Sequence, residues 1–396
     1  MKAVWQITRL AEVCQTAAGG TPLKSNKEFY EGGKVPWLQS GEVSQGEISA
    51  AKTFITELGL KRSSAKLFPA NTVVVAMYGA TAGQVGILRF ESATNQAVCG
   101  ILPNKTFIPE FLYYLLLSRK SELVAQAVGN AQPNISQQKI RDMYVPLVTI
   151  SEQRRIVFTL AQAFGKIAQA RANAEENLQN AREIFESYLQ SVFTARGEGW
   201  AEKRLDEIST FSSGGTPSNT NEGYWNGEIP WVSGRDMKST RLADSFLHIS
   251  QSAVDESSTR LAPAGTLLVL VRGMGLAHGA QITELMVPCA FNQDIKGIHV
   301  DPSIIPRYLL FALRNRINSS DSVLSNAAHG TLKINSDELR KVRIPIPPLN
   351  DQQKAVKTID LLVAETQRLE SIYHRKIAAL DELKQSLLHQ AFSGQL

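Results

Sequence analysis

The sequence predicts an α+β protein in which two similar globular domains are separated by two long helices that pair as an antiparallel coiled coil. Two observations lead to this fold class. The chain repeats itself, since Gly19-Gly20-Thr21-Pro22 returns as Gly214-Gly215-Thr216-Pro217. Each copy also ends in a long segment without proline, in which apolar residues recur at three- and four-residue spacings typical of a coiled coil. A duplication of this length predicts two related folding units.

The spacing between the copies defines the predicted domains. It grows only from 194 residues, at Trp37 and Trp231, to 199 residues, at Phe193 and Phe392. Equivalent units that pair through equivalent surfaces are related by a two-fold axis, so we expect the two helices to run antiparallel. We therefore divide the chain into a first domain at residues 1–150, a central helix at 151–196, a second domain at 197–349 and a C-terminal helix at 350–396.

Each globular domain combines strands with helices. The apolar or β-branched runs at residues 72–78 and 266–271 predict buried strands, because turn residues bound both of them. Pro109 and Pro306 each open an apolar segment, and proline is favoured at the first position of a helix. We therefore expect a helix to start at each of these two prolines.

The two long helices follow proline-containing extended segments. Ser151 and Asn350 each precede an acidic residue, which predicts that their side chains cap the helices. About 42 helical residues would span about 63 Å, more than the diameter of one domain, which favours pairing of the helices over packing along a single domain. The predicted seam comprises Ile156, Leu160, Ala163, Ile167, Ala170, Ala174, Leu178, Ala181, Phe185, Tyr188 and Val192 in the first helix, and Ile359, Val363, Thr366, Leu369, Tyr373, Ile377, Leu380, Leu383, Leu387 and Ala391 in the second.

The composition is that of a soluble globular protein, with 43% hydrophobic and 20% charged residues in 396. No apolar stretch reaches the length of a membrane span and the N-terminus lacks a signal core, so we expect no membrane contact and a cytoplasmic location. Cys14, Cys99 and Cys289 are isolated, and the six histidines show no metal-ligand spacing. We expect buried thiols and no metal.

The motifs of common enzymes are missing from the sequence. Gly273-Met274-Gly275 is the nearest glycine cluster to a cofactor loop, and there is no Gly-x-Ser-x-Gly elbow. We therefore expect a chain with no catalytic residue and no cofactor of its own.

Net charge permits a polyanionic partner, because residues 1–150 hold 15 Lys and Arg against 10 Asp and Glu, whereas residues 200–349 hold 15 of each. Polar residues near loops that differ between the copies are the candidates for DNA contact, since amides and guanidinium groups pair with base edges and lysines hold phosphates. In the first domain these candidates are Lys24, Lys27, Lys61, Arg62, Lys66, Tyr78 and Gln84; in the second they are Asn219, Arg235, Lys238, Arg241, Arg260, Arg272 and His278.

Aligned positions suggest a division of roles among these candidates. Lys66 and Arg260 are both basic at one aligned position, which favours contact with the DNA backbone, whereas Tyr78 and Arg272 are aligned but different, which favours base reading.

Other recurring residues are predicted to serve the fold. The aligned Trp37 and Trp231 are expected in the core. The Asn-Gln pairs at 95–96 and 292–293 are expected to satisfy local backbone groups.

Taken together, the repeated motifs resemble those of the specificity subunit of type I restriction-modification systems. The resemblance rests on the Gly-Gly-Thr-Pro and Pro-Trp repeats, the Ser-Ser-x-basic-Leu elements at 63–67 and 257–261, the Ile-Pro-Ile-Pro-Pro-Leu-Asn-Asp-Gln-Gln segment at 344–353 and the ending at 385–396. It covers nearly the whole chain. The first copy departs at 148–151, where Val-Thr-Ile-Ser replaces the proline-rich junction.

The resemblance implies two pseudo-two-fold-related target recognition domains, each reading one half of an asymmetric bipartite site in double-stranded DNA. The helices would dock two methyltransferase subunits. S-adenosylmethionine, ATP and Mg are then expected in the methyltransferase and restriction/translocase subunits and not in this chain. From the residues alone, the alternative is a non-enzymatic coiled-coil scaffold whose domains bind proteins rather than DNA.

Overall fold

The chain forms two compact units, and each unit contains parts of both long helices. The first unit comprises Met1–Glu175 and His374–Leu396, and the second comprises Glu176–Tyr373. This computed structural model describes residues 5–125, 134–195, 197–319, 324–326 and 332–396, with the side chains of His278 and of residues 324–326 outside the description.

The first domain and its long helix contain eleven strands and six α-helices among the described residues. The strands are β1 (Gln6–Arg9), β2 (Thr16–Ala18), β3 (Val35–Leu38), β4 (Glu47–Ile48), β5 (Phe54–Ile55), β6 (Leu67–Phe68), β7 (Val73–Ala76), β8 (Val85–Leu88), β9 (Ser92–Thr94), β10 (Val98–Ile101) and β11 (Tyr144–Leu147). The helices are α1 (Leu10–Val13), α2 (Glu57–Lys61), α3 (Pro109–Ser118), α4 (Lys120–Ala125), α5 (Gln137–Arg141) and the long α6 (Ile150–Thr194).

The second copy contains thirteen strands and four α-helices among the described residues. Its strands are β12 (Ala201–Arg204), β13 (Ser209–Ser213), β14 (Ile229–Val232), β15 (Arg241–Leu242), β16 (Leu247–Ile249), β17 (Leu261–Ala262), β18 (Leu267–Leu270), β19 (Ile282–Leu285), β20 (Cys289–Phe291), β21 (Ile295–Val300), β22 (Leu324–Asn326), β23 (Leu332–Ile334) and β24 (Arg343–Ile346). Its helices are α7 (Gln251–Glu256), α8 (Pro306–Asn318), α9 (Ser336–Lys341) and the long α10 (Leu349–Phe392).

Three sheets recur in both domains with the same strand order, and the second domain also has the two-stranded β22–β23 pair. A five-stranded mixed sheet has the order β2-β10-β7-β8-β4 in the first domain and β13-β21-β18-β19-β15 in the second. A four-stranded sheet has the order β5-β3-β9-β6 in one and β16-β14-β20-β17 in the other, and a two-stranded pair joins the start of each domain to its end. The predicted duplication of an α+β domain is confirmed.

The predicted core elements are also confirmed. Every residue of β7 and of β18 is buried, in agreement with the apolar runs at residues 72–78 and 266–271. The helices α3 and α8 begin at Pro109 and Pro306, where the missing amide hydrogen would have had no partner within the helix.

The predicted caps of both long helices are wrong by two residues. In α6 the amide of Glu152 donates to Thr149 Oγ1 at 3.3 Å, so Thr149 is the capping residue and Ser151 lies in the first turn. In α10 the amide of Gln352 donates to the Pro348 carbonyl at 3.1 Å, which places Asn350 inside the helix. The helices begin earlier because the carbonyls at the end of the extended segment already accept helical amides.

A buried glutamine joins the start of each long helix to its own domain. Gln153 is 0% exposed; its Oε1 accepts from the Ile108 amide at 2.9 Å, and its Nε2 donates to the carbonyls of Thr106 and Val148. Gln352, at the equivalent place in α10, accepts from the amide of Ile305 at 2.9 Å. Each side chain thus fixes where the helix leaves the domain.

Within each unit the two long-helix segments run antiparallel, as predicted. In the first unit Arg155 Nη2 donates to the Leu396 carbonyl, and Arg171 pairs with Asp381 at 2.5 Å, so residue numbers rise along α6 as they fall along α10. In the second unit Arg182 pairs with Glu370 at 2.6 Å. Most predicted seam residues are buried or half-buried. The prediction that Leu383 belongs to the seam is wrong, because its side chain is 46% exposed.

The end of each long helix packs on the domain that belongs to the other repeat. In the first unit Phe392, at the end of α10, packs edge-on against Phe111 of α3, with ring centroids 5.3 Å apart. In the second unit Phe193, near the end of α6, packs in the same way on Tyr308 of α8 at 5.5 Å. The two contacts are made by equivalent residues of the two repeats. Among the described residues, no helix has the length and apolar character needed to cross a membrane.

Replacing Gln153 with leucine is expected to destabilise the first unit by about 3 kcal/mol, because one backbone amide and two carbonyls would be left buried without partners. The midpoint of thermal unfolding should fall accordingly. Gln169→Leu, on the exposed side of the same helix, should change stability by less than about 0.5 kcal/mol. Equal effects of the two substitutions would contradict this role for Gln153.

Candidate nucleic-acid interface

Three loops meet around a buried tryptophan in each domain. Trp37 is 4% exposed and its Nε1 donates to the Gly20 carbonyl at 3.0 Å; Trp231 is 7% exposed and donates to Gly215 at 3.1 Å. The prediction that both tryptophans belong to the core is confirmed. We call this meeting point of the β2–β3, α2–β6 and β9–β10 loops, and of their counterparts in the second domain, the loop junction.

The second glycine of the Gly-Gly pair allows two loops to touch. A Cβ on Gly20 would lie 2.3 Å from the carbonyl carbon of Ser64, and one on Gly215 would lie 2.6 Å from the Ser258 carbonyl oxygen. No larger residue fits there without moving backbone. Lys66 and Arg260, two residues further along their loops, are therefore held beside the junction, and both are exposed.

The repeated Asn-Gln pair forms the third side of the junction. Asn95 Oδ1 accepts from the Ala97 amide at 3.2 Å and Asn292 Oδ1 from the Asp294 amide at 3.1 Å, which confirms their predicted backbone role. The neighbouring glutamines lie at the surface instead, where Thr21 Oγ1 donates to Gln96 and Thr216 Oγ1 donates to Gln293.

The loop between β7 and β8 lies next to this turn. The Met77 amide donates to the Ala97 carbonyl at 2.7 Å, so Tyr78, 38% exposed, lies beside the junction. In the second domain the Val271 amide donates to Asp294 at 2.8 Å, which places the exposed Arg272 at the same position. Gln84 is half-buried at the base of the Tyr78 loop, and its carbonyl accepts from Ala76 at 2.9 Å.

Four predicted lysine and arginine residues of the first domain lie on a lobe formed by the β2–β3 loop and α2, which adjoins the loop junction because Tyr30 packs on Trp37. The β2–β3 loop packs on α2, since a Cβ on Gly59 would meet the Phe29 carbonyl at 2.7 Å. Lys27 stands 3.9 Å from Glu31, too far for strong pairing at an exposed site. The four predicted residues of this lobe, all exposed, are Lys24, Lys27, Lys61 and Arg62; in the second domain Asn219 lies on the corresponding loop.

Lys238 and Arg241 lie against the long helices rather than at the loop junction. Arg241 Nη2 is 3.0 Å from Asp360 of α10, and Arg307, with a side chain only 6% exposed, pairs with the same carboxylate at 2.9 Å. Lys238 lines a groove of the second unit together with Arg182 and Glu370. The guanidinium of Arg241 therefore serves contact with α10.

The first domain has the opposite arrangement of charge at these positions. Glu47 of β4 corresponds to Arg241 of β15, and Glu110 of α3 corresponds to Arg307 of α8. The two glutamates bracket Arg89, with contacts of 2.7 and 2.8 Å. Each domain thus has a cluster of three charges. One arginine lies between two glutamates in the first domain, and one aspartate pairs with two arginines in the second.

A carboxylate clamp, which sequence reasoning missed, holds the turn after β3 or β14. Asp236 Oδ2 accepts from the Ser233 amide at 2.9 Å and Oδ1 from the Phe246 amide at 3.0 Å. Glu42 does the same for Gln39 and Lys52 in the first domain, at 2.9 Å each. The sequence could have indicated this clamp, because Glu42 and Asp236 are both acidic at one aligned position of the repeat.

Arg235 lies on the clamped turn of the second domain, with its guanidinium carbon 4.1 Å from the ring centroid of Phe246. The side chain of His278 falls outside the described residues; its backbone closes a 3-10 turn at Met274–His278. Of the fourteen predicted contact residues, Lys66, Tyr78, Arg260 and Arg272 therefore lie beside the junction, and Gln84 lies at the base of the Tyr78 loop.

The cysteines are buried thiols, as predicted. Burial raises the pKa of Cys14 to about 11 and those of Cys99 and Cys289 to about 12, which keeps all three protonated at neutral pH. No group of three or more His, Cys, Asp or Glu suited to holding a metal occurs in the described parts of the chain.

Comparison with protein families identifies the repeated unit. The family model described as the type I restriction modification DNA specificity domain matches residues 3–176 and again residues 197–375. The chain belongs to this family. Its two matches coincide with the two copies found in the sequence, and each includes a loop junction.

Curated relatives in this family are similar along most of their length. The specificity subunit of the EcoR124I/EcoR124II type I restriction enzyme of Escherichia coli is 27% identical over 363 residues, which cover 84% of this chain and 88% of the relative. The MjaIX specificity subunit of Methanocaldococcus jannaschii is 23% identical, over 99% of this chain and 93% of the relative.

Solved structures share the fold. A chain from a study of assembly and conformational transition of the type I R-M system superposes with a TM-score of 0.81 at 21% identity, covering 99% of this chain and 98% of that one. The HsdS subunit from Thermoanaerobacter tengcongensis gives a TM-score of 0.58 at 19% identity, covering 100% of this chain and 98% of that one.

Glu284 of β19 is expected to make stability depend on pH. Burial raises the pKa of its carboxyl above the ordinary value of 4.5, against the opposing effect of Arg307 and Arg241. A raised folded-state pKa means that the favourable state is protonated, so stability falls as pH rises through that pKa.

Glu284→Gln should therefore unfold at a higher temperature than the parent chain at pH 7, and the difference should vanish below pH 4.5. Thermal unfolding followed from pH 4 to 8, in steps of about half a unit, tests this. Glu228→Gln, at an exposed turn, is the matched control and should show no such trend. A less stable Glu284→Gln chain at pH 7 would show that the two arginines dominate instead.

Proposed function

We propose that this chain is the DNA specificity subunit of a type I restriction-modification complex, in which each domain reads one half of an asymmetric bipartite site in double-stranded DNA. The observation that carries the proposal is a loop junction built identically in both domains but lined by different exposed side chains. Tyr78 in one domain and Arg272 in the other occupy the same backbone position. Two equal scaffolds with unequal contact residues suit two unequal half-sites.

The residues of the junction divide by chemistry. Lys66 and Arg260 keep positive charge at one aligned position, which suits contact with phosphates that every half-site presents. Arg272 can donate two hydrogen bonds to a guanine edge, whereas Tyr78 offers a single hydroxyl and a ring. The lobe with Lys24, Lys27, Lys61 and Arg62 would follow the DNA backbone beyond the bases.

The long helices are proposed to dock two methyltransferase subunits. Ile184 of α6 is 65% exposed and Leu383 of α10 is 46% exposed, and the two lie 199 residues apart at equivalent positions of the repeat. Equivalent exposed apolar residues suit two copies of one partner. S-adenosylmethionine, ATP and Mg would belong to the methyltransferase and restriction/translocase subunits, and this chain would be non-catalytic.

Deleting the gene for this chain is expected to remove adenine methylation at one bipartite sequence throughout the host genome. Without this chain, the methyltransferase subunits would no longer be directed to that sequence. Sequencing that detects methylated adenine, in the parent and deleted strains, measures this. Replacing residues 1–150 with the first domain of another family member should restore methylation at a site changed in one half only. Unaltered methylation after deletion would rule out the proposed function, and changes in both halves would rule out modular reading.

The length of the helices is proposed to set the unread spacer between the half-sites. Four residues inserted after Glu175 and four after Tyr373 lie between the Arg171–Asp381 and Arg182–Glu370 pairs, so both pairs keep their partners. The insertions add about 6 Å at about 1.5 Å per residue, and the recognised spacer should grow by one or two base pairs. Methylation mapping of this variant measures the spacer length. An unchanged spacer would show that the length of the helices does not determine it.

A further inference from the structure

Two large apolar side chains of the second domain stand out by their exposure. Met274 is 84% and Phe246 is 74% exposed, more than any other large hydrophobic residue among the described side chains. Burial is what ordinarily stabilises such groups, so side chains exposed this fully are available to a partner.

Phe246 is held in its exposed position. Its backbone amide is bound by the carboxylate clamp of Asp236, and Arg235 covers one face of its ring at 4.1 Å. The clamped position in the first domain carries Lys52, which is also exposed. The same backbone arrangement thus presents a cation in one domain and an aromatic ring in the other.

The loop that carries Met274 touches the clamped turn. Met274 follows Gly273, whose φ of +136° is closed to most other residues. A Cβ on Gly234 would lie 3.1 Å from Leu270 Cδ1, and one on Gly275 would lie 3.2 Å from Leu270 Cδ2. Leu270 therefore packs between the two loops and keeps them adjacent.

Two arginines accompany the apolar side chains. Arg235 lies on the clamped turn and Arg272 lies two residues before Met274; no ion pair joins either of them to a carboxylate among the described residues. Unpaired guanidinium groups beside exposed apolar groups suit a ligand that combines anionic groups with apolar surfaces. Duplex DNA has phosphates outside, and thymine methyl groups and base faces within its grooves.

We propose that Arg235, Phe246, Arg272 and Met274 form an apolar contact of the second domain with bases of its half-site. Phe246 and Met274 meet the apolar surface of the bases, and the arginines approach phosphates or base edges on either side. This inference rests on the proposed function and adds a mode of reading to it. Hydrogen bonding alone would not require either exposed apolar side chain.

The test uses the full chain assembled with its methyltransferase subunits, and a duplex carrying the site found by methylation mapping. Phe246→Ala and Met274→Ala are each expected to weaken binding to this duplex about tenfold, without lowering the midpoint of thermal unfolding. Met286→Ala is the matched control, because Met286 is 46% exposed in the same domain but follows β19, near Leu242. It should bind as the parent does.

Modified duplexes distinguish the two sources of apolar surface. If the ring meets thymine methyl groups, deoxyuridine in the second half-site should weaken binding of the parent chain and leave Phe246→Ala unaffected. If the ring meets a base face, 2-aminopurine placed there should brighten on binding the parent and not the variant. Either result supports the proposal.

Other outcomes overturn it. Parental affinity in both alanine variants would exclude the contact, as would equal responses of parent and variants to both modified duplexes. Loss of methyltransferase subunits from the Phe246→Ala complex would assign this surface to protein binding instead. If the parent chain itself bound no sequence selectively, the proposed function would fail, whereas selective binding by the parent with unaffected variants would remove only this inference.

Discussion

The structure depends on the path of the two long helices, because each helix begins in one unit and ends in the other. Gln153 and Gln352 fix where the helices leave their own domains, and the aromatic contacts of Phe392 and Phe193 fix where they end. Neither unit is complete without residues from both repeats, because each hydrophobic core includes a helix end from the other copy. Each long helix therefore contributes side chains to the cores of both units.

Several backbone contacts around the loop junction recur in both domains. The tryptophan–glycine bond, the carboxylate clamp and the asparagine turn recur with nearly equal distances in both copies. In each of these contacts one partner is a backbone amide or carbonyl, so the neighbouring side chains can differ between the repeats. Such a scaffold explains how one duplicated fold presents a tyrosine at one junction and an arginine at the other.

Equal spacing from the shared motifs predicts from the sequence that Lys66 is equivalent to Arg260 and Tyr78 to Arg272. The structure places all four beside the junction. Arg241 is predicted to contact DNA because it is a basic residue near a loop that differs between the copies, but it pairs with Asp360, more than a hundred residues away in the chain. A basic residue on a loop looks the same whether its partner is a phosphate or a distant carboxylate.

By itself, the sequence determined the duplication, the two glycine-bearing loops, the buried strands and the seam of the long helices, since each follows from short-range spacing and side-chain size. Only the tertiary structure decided which unit receives each helix end, which charges are used internally and which apolar side chains remain exposed. These properties depend on contacts between residues far apart in the chain. The local periodicity of the sequence predicts which face of a helix or strand is apolar. It does not predict which element will pack against that face.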